Sequence, residues 1–320
     1  ASASGQRILD RVSLDVRPGE VHGLAGETGS GKTTLGLSLL GYLARGLRFG
    51  SGTITVAGDR LLEDDSAISD EALRRLRGET ISYVPQDPSS ALNPGMRIGR
   101  LFREVLHAHG IRDEREQTAR IGRWLDAVGL PSDEAFAMRF PHQLSGGQLQ
   151  RVGIAIAFVL DPAVVIMDEP TTGLDVTTKL RIASLVRSLA ERTNASIVFV
   201  SHDLRLLLDL SDTVSILLEG RIVDQGSPGE LLNGEIQPYT RRLLDALPSV
   251  GDAIRPVVAK RGEAGGADPR PLTVTGLSAR YGATTATHGL GFTVEPGRAL
   301  AVVGESGSGK TTTARCIAGF

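Results

Sequence analysis

The sequence predicts an α/β fold: a parallel sheet with crossover helices, an antiparallel β subdomain, a helical insertion, and then the start of a second copy. Three observations carry this. The segment Gly26-Glu27-Thr28-Gly29-Ser30-Gly31-Lys32-Thr33-Thr34 recurs almost unchanged as Gly304-Glu305-Ser306-Gly307-Ser308-Gly309-Lys310-Thr311-Thr312. Each copy follows a short apolar run, Val21 to Ala25 and Leu300 to Val303, and precedes a helix-like stretch, Leu35 to Leu43 in the first. Farther on, Val164-Val165-Ile166-Met167 and Ile197-Val198-Phe199-Val200 are continuous apolar runs, as strands buried on both faces require.

Each element has its own signal. Ile8 to Val16 alternates around Leu9, Val12, Leu14 and Val16, and with Thr53 to Val56 predicts a small antiparallel sheet. Pro18-Gly19-Glu20 marks a turn. From about 70 to 150 the chain is rich in helix formers. Leu101-Phe102, Val105-Leu106, Trp124-Leu125 and Val128 fall at helical spacing, so the insertion is placed at about 88–150. Leu180 to Leu189 reads as a crossover helix. Val214 to Leu218 and Arg221 to Asp224 flank Glu219-Gly220 as a hairpin. Residues 249–271 are rich in Gly, Pro and charge, with Lys260-Arg261-Gly262-Glu263-Ala264-Gly265-Gly266, and read as a linker. That leaves residues 1–248 as one unit, with a tail at about 226–248, and 272–320 as the start of a second. The chain begins without methionine and stops just past the second Gly-rich loop, so both ends are expected to be cut. Its second unit would then lack parallel neighbours for Leu300 to Val303.

Composition narrows the function classes. The 320 residues are 41% hydrophobic, enough for a real core, and the net charge is −2. No long basic run suggests general nucleic-acid binding. The single cysteine, Cys316, excludes a disulfide framework and is expected to be a small core residue. No apolar stretch approaches the roughly 20 residues that span a bilayer. Ala1 to Gln6 lacks the features of a signal peptide. A cytoplasmic protein is expected.

Both Gly-rich segments fit G-x-x-x-x-G-K-[ST], a P-loop for nucleoside triphosphates. Gly26, Gly29 and Gly31 let successive N–H groups turn inward, and the following helix adds its positive end. Lys32 can reach the β- and γ-phosphates, and the Thr33 hydroxyl can ligate Mg²⁺. Asp168 and Glu169 end an apolar strand, where one acid can hold Mg²⁺ and the next can polarise water. Three further segments stay open when taken alone. Leu144-Ser145-Gly146-Gly147-Gln148 reads equally as a second phosphate site or an ordinary helix cap. His202 reads as a phosphate contact or a capping histidine, and Gln86 as a ligand or a plain loop glutamine.

Taken in order, these segments resemble the ATP-binding cassette (ABC) ATPases over essentially the whole first unit. Gly26 to Thr34 resembles Walker A, Gln86 the Q-loop, Leu144 to Gln148 the signature and Val164 to Glu169 Walker B. Gly173-Leu174-Asp175 resembles the D-loop and His202 the switch histidine. The resemblance implies ATP and Mg²⁺ as cofactors. The loop Gly26, Glu27, Thr28, Gly29, Ser30, Gly31, Lys32, Thr33 and Thr34 would hold ATP, with Thr33, Gln86 and Asp168 around Mg²⁺. Glu169 would be the general base, His202 the γ-phosphate sensor and Gln86 their companion. Ser145, Gly146, Gly147, Gln148 and Asp175 would serve ATP held by an opposing nucleotide-binding domain. In the second unit, Tyr281 would stack on the base, and Gly304, Gly307, Ser308, Gly309, Lys310, Thr311 and Thr312 would hold phosphates.

A narrower resemblance follows. Asp87-Pro88-Ser89-Ser90-Ala91-Leu92-Asn93-Pro94, Phe140-Pro141-His142-Gln143, and Gln237-Pro238-Tyr239-Thr240 are similar to the oligopeptide/dipeptide/nickel importer subfamily, in its fused two-cassette form. This implies an ATPase that drives uptake of peptides or a related solute, such as nickel or a glutathione-like one. Its partners would be transmembrane permease subunits, a second nucleotide-binding domain and, indirectly, an extracytoplasmic solute-binding protein, with no nucleic acid. It would sit on the inner face of the cell membrane. The alternative is a ribosome-associated tandem ABC ATPase, against which the short Gly-rich linker argues. A DNA-repair ABC ATPase is excluded by the lack of heptads in the insertion. There are departures. Tyr281 lies 29 residues before Lys310, whereas the same offset from Lys32 lands on Ala3. Leu149 replaces a basic residue common after the signature, and the subfamily's cysteine-rich tail is absent.

Overall fold

The first strand, β1 (Val21–Ala25), is buried at every position, as a central parallel strand must be. It runs into the first Gly-rich loop and α1 (Lys32–Leu39). The helix therefore starts inside the loop's lysine and ends earlier than the expected Leu43. β2 (Thr53–Val56), β3 (Asp59–Glu63) and β4 (Ser66–Ala67) make the antiparallel subdomain. α2 (Asp70–Glu79), kinked at Arg77 and Gly78, leads to β5 (Ile81–Val84). The insertion follows as α3 (Pro88–Ala91), α4 (Ile98–Ala108), α5 (Glu114–Ala127), α6 (Glu134–Ala137), a 3₁₀ turn at Pro141–Gln143 and α7 (Gly146–Phe158). Then come β6 (Val164–Asp168), α8 (Val176–Thr193), β7 (Ser196–Val200), α9 (Leu204–Leu210), β8 (Thr213–Leu218) and β9 (Arg221–Gly226). The tail is α10 (Pro228–Asn233) and α11 (Pro238–Asp245). Asp113, Asp133, Ser145, Asp175 and Ser227 each accept a first-turn N–H of the helix they begin. This computed structural model describes residues 7–63, 66–67, 69–247, 270–282, 284–304 and 307–319.

The main sheet has the order β5-β6-β7-β1-β8-β9, parallel except for the β8–β9 hairpin. Leu24 stands level with Val200, and Val200 with Asp168. The carboxyl ends of β1, β7 and β6 thus lie side by side, which gathers the loops that follow them. The period of two along each strand divides the core between the faces. Val165, Met167, Ile197 and Phe199 pack with Phe102, Trp124 and Phe158 on one side. Ile166, Val198 and Val200 pack with Leu24, Leu35 and Leu61 on the other.

The chain divides into two compact units, Ala1–Leu247 and Pro248–Phe320. The second holds an antiparallel pair, β10 (Leu272–Tyr281) and β11 (Thr284–Val294), and α12 (Lys310–Ala318). The linker expected at 249–271 lies almost wholly outside the described residues.

Three expectations are corrected. Ile8–Val16 forms no strand: Leu9, Val12 and Val16 pack on the core, but among the described residues β2 pairs only with β3. The alternation reports a half-buried segment and does not supply a ladder partner. Leu300–Val303 is likewise not a strand, and Val303 is 91% exposed. The described strands of that unit, β10 and β11, pair with each other. Cys316 is exposed on α12 and is not a core residue.

Candidate nucleotide site

The first Gly-rich loop turns on residues that tolerate no side chain. Gly31 has φ 104° and begins α1, and a Cβ there would come within 3.0 Å of Leu9. At Gly26 a Cβ would come within 2.3 Å of the Leu217 carbonyl oxygen. Glu27, Thr28 and Gly29 form the exposed rim, while Ser30 is buried. Lys32 is buried too, and its Nζ donates to the carbonyls of Gly26 at 2.7 Å and Glu27 at 2.9 Å. Burial lowers the Lys32 pKa, and the carboxylates of Glu169 and Asp168 oppose that shift. Thr33 is exposed and Thr34 half-buried in the first turn of α1.

Asp168 ends β6 and is 3% exposed. Its Oδ2 accepts the Tyr83 hydroxyl at 2.9 Å, and its Oδ1 is buried without a partner. Burial, then the Asp168 carboxylate, pushes the Tyr83 phenol up, so Tyr83 remains a donor. Glu169 follows in the left-handed region, φ 46°, a conformation that costs a non-glycine residue about 1–3 kcal/mol. Three side chains converge on its Oε2. The Thr172 hydroxyl donates at 2.9 Å, His202 Nδ1 lies at 3.0 Å and Gln86 Nε2 donates at 3.4 Å. Gln86, Asp168, Glu169 and His202 come from three separate strand ends, yet the sheet order assembles them beside Lys32.

Ser145, Gly146, Gly147 and Gln148 make a second cluster. The Ser145 hydroxyl accepts the Gln148 amide at 3.3 Å, and Gln148 Oε1 accepts the Ser145 amide at 3.0 Å. Here the cap reading of Ser145 holds in full, with the hydroxyl exposed on the surface. A Cβ on Gly147 would come within 2.9 Å of Thr178. Asp175 caps α8 through the Thr178 amide at 3.0 Å and its hydroxyl at 2.8 Å. The signature segment thus rests on the first turn of α8. Leu149, where a basic residue was expected, is buried in the core side of α7.

The second loop repeats the lysine geometry. Lys310 Nζ donates to the Gly304 carbonyl at 2.7 Å and to Ser308 Oγ at 3.4 Å. Gly307 and Gly309 have positive φ, and Thr311 and Thr312 follow in α12. Glu305 and Ser306 lie outside the described residues. Tyr281 ends β10, 61% exposed. Ala3 also falls outside. Sequence reasoning assigned no role to Tyr83 or Thr172. The only signal for Thr172 was a hydroxyl three residues after an acid, and Tyr83 had none, since its partner is 85 residues away.

A parallel sheet that brings one phosphate loop, a strand-end acid pair and a strand-end histidine together is the arrangement of an ATP-binding cassette. The family model described as ABC transporter matches residues 9–172 and 287–320, and the chain belongs to that family. It is 33% identical to the glutathione import ATP-binding protein GsiA of Salmonella typhimurium, over 98% of this chain and 55% of that protein. It is 37% identical to the oligopeptide transport ATP-binding protein OppD of Lactococcus lactis subsp. cremoris, over 76% of this chain and 71% of that one. The chain spans about half the length of the GsiA relatives it matches. Among solved structures, cbiO1 from Clostridium perfringens aligns with TM-score 0.62 and 28% identity, over 72% of this chain and 85% of that one. The dimeric ATP-binding cassette MJ0796 bound to ADP and Pi aligns with TM-score 0.59 and 26% identity, over 69% and 90%. The fold is that of an ABC ATPase.

Proposed function

We propose that the chain is the ATP-hydrolysing part of an importer for peptides or a related small solute, acting through separate membrane subunits. The observation that carries the chemistry is the gathering of Gln86, Thr172 and His202 on one oxygen of Glu169, beside Asp168 and the lysine of the loop. The relatives named as glutathione, oligopeptide and peptide import ATP-binding proteins support the importer reading.

The residues fit ATP and Mg²⁺. Ser30 Oγ and Asp168 Oδ1 are buried polar atoms without partners, one a donor in the phosphate loop and the other a hard oxygen suited to Mg²⁺. Thr33 and Gln86 complete the oxygen donors proposed for the metal, which would neutralise phosphate charge. Lys32, released from the Gly26 and Glu27 carbonyls, pairs its ammonium with phosphate oxygens. Glu169 accepts a proton from water, and His202 Nδ1 and Thr172 hold its carboxylate in place. Ser145, Gly146, Gly147, Gln148 and Asp175 serve nucleotide on an opposing cassette. Gly304, Gly307, Ser308, Gly309, Lys310, Thr311 and Thr312, with Tyr281, form a second nucleotide site. On this reading residues 1–248 are the first nucleotide-binding domain, 249–271 the linker and 272–320 part of a second.

An apolar groove of about 240 Å³ lies where the insertion meets the sheet edge, lined by Leu40, Tyr83, Val105 and Ile156 among others. Its place beside the strand leading to Gln86 suits a surface that passes motion from the site to a permease. No described helix is long and apolar enough to cross a membrane. We place the protein on the cytoplasmic face of one, with a solute-binding protein reached through the permease. Affinity purification from the native cell, with mass spectrometry of what is retained, tests this. Permease subunits are expected; recovery with ribosomal proteins and no permease would overturn the importer reading.

A further inference from the structure

The strand that leads to Gln86 reaches both acids at the end of β6. Tyr83 on β5 stands level with Ile166 in a parallel pair, and both side chains pack on the core face that holds Leu24 and Leu35. Asp168 lies two residues beyond Ile166 and so returns to that face. The Tyr83 side chain spans the diagonal, and its hydroxyl donates to Asp168 Oδ2 at 2.9 Å. Three residues farther along the same segment, Gln86 Nε2 donates to Glu169 Oε2 at 3.4 Å.

The phenol divides the Asp168 carboxylate. Asp168 is 3% exposed, so its oxygens need partners inside the protein or from a ligand. Oδ2 has the phenol, whereas Oδ1 is buried with no hydrogen-bond partner among the described residues. Phenylalanine would pack its ring on the same core but would leave Oδ2 without the phenol. Packing alone therefore does not account for the hydroxyl.

We propose that Tyr83 is a positioning residue for the metal acid: its phenol holds Asp168 Oδ2, so the carboxylate offers Oδ1 alone to a divalent cation or a water of its shell, and the site favours Mg²⁺ over Ca²⁺. The proposal rests on reading the first loop and Asp168 as the Mg²⁺–nucleotide site. Mg²⁺ keeps several waters and is satisfied by one carboxylate oxygen, whereas Ca²⁺ takes more oxygens and accepts a bidentate carboxylate. Freeing Oδ2 removes an orientation that serves Mg²⁺ and opens a pairing that serves Ca²⁺.

The test compares the whole chain as wild type, Tyr83→Phe, Tyr83→Met and Ile81→Val, with Lys310 replaced in all four so that binding reports the first loop. Ile81→Val trims a core residue of the same strand, 1% exposed, and leaves the phenol in place. Binding of a fluorescent ATP analogue is titrated with Mg²⁺ and separately with Ca²⁺, and thermal melts establish that each protein is folded at the temperature used. Tyr83→Phe is expected to weaken the apparent Mg²⁺ affinity about tenfold, the low end for losing the outer partner of a metal ligand, while Ca²⁺ affinity holds or improves. Tyr83→Met also lacks the donor and should show the same shift in preference; it decides the matter if Tyr83→Phe does not fold. Ile81→Val should lower the melting temperature and keep the wild-type preference. A wild-type preference in folded Tyr83→Phe or Tyr83→Met would overturn the proposal. So would equal losses for both metals, or the same shift in Ile81→Val. A wild type that binds the analogue with no dependence on either metal would overturn the metal reading of Asp168, and the proposal with it.

Discussion

Lys32 and Glu169 are the two residues whose surroundings are hardest to explain without a triphosphate. A buried ammonium that donates to two backbone carbonyls is paired with dipoles where a phosphate would offer full charges. Lys32→Ala should therefore weaken ATP binding by about tenfold to a hundredfold, the range for hydrogen bonds to charged groups. A nucleotide titration on the whole chain, with Lys310 also replaced in both proteins, measures it; unchanged affinity would sink the assignment. Glu169 sits in a strained backbone conformation and gathers three side chains on one oxygen. Glu169→Gln keeps its shape but cannot accept a proton, so turnover should fall about 10²- to 10⁴-fold while ATP binding persists. Steady-state hydrolysis beside equilibrium binding separates the two effects. Most of this site was legible in the sequence because each part is local: a loop spacing, or an acid closing an apolar run. The convergence of Gln86 and His202 on Glu169 was not, since it depends on which strands become neighbours.

At the scale of elements, the centre of the sheet carries a buried polar trio. His22 on β1 and Ser215 on β8 are fully buried, with His22 Nε2 2.9 Å from Ser215 Oγ and Nδ1 3.2 Å from Glu20. Burial lowers the His22 pKa, and Glu20 only partly opposes it. Burial also works against the Glu20 carboxylate, but hydrogen bonds from the Arg17 amide, Thr213 and His22 outweigh it and keep its pKa below the usual range. The folded protein therefore holds a neutral histidine that the unfolded chain protonates below about pH 6.5. Stability is full above that value and is lost as pH falls from it through the lower folded pKa, by at most about 1.4 kcal/mol per unit crossed. Urea unfolding at about pH 7.5 and about pH 5.5 should show this loss in the wild type and a smaller one in His22→Gln. Equal losses would place the acid sensitivity elsewhere. Elements were also where sequence reading erred. Ile8–Val16 and Leu300–Val303 carry strand-like apolar patterns, but a pattern records burial period or apolarity, and a strand also needs a neighbour to bond. That neighbour is a non-local fact.

For the whole molecule, the decisive feature is that the two candidate clusters stand apart. The first loop, Asp168, Glu169 and His202 gather at the sheet ends, whereas Ser145 to Gln148 rest on the first turn of α8 with Leu174 and Thr178. The sequence contains two phosphate loops and one Ser-Gly-Gly-Gln segment. On the proposed reading, that segment completes the nucleotide site of another cassette, and two copies of this chain can supply it to each other. The most direct test is the ATPase rate per molecule against protein concentration, for the wild type and for Glu169→Gln. The wild-type rate should climb with concentration toward a plateau while Glu169→Gln stays near baseline throughout. A wild-type rate indistinguishable from that of Glu169→Gln at every concentration would contradict the account.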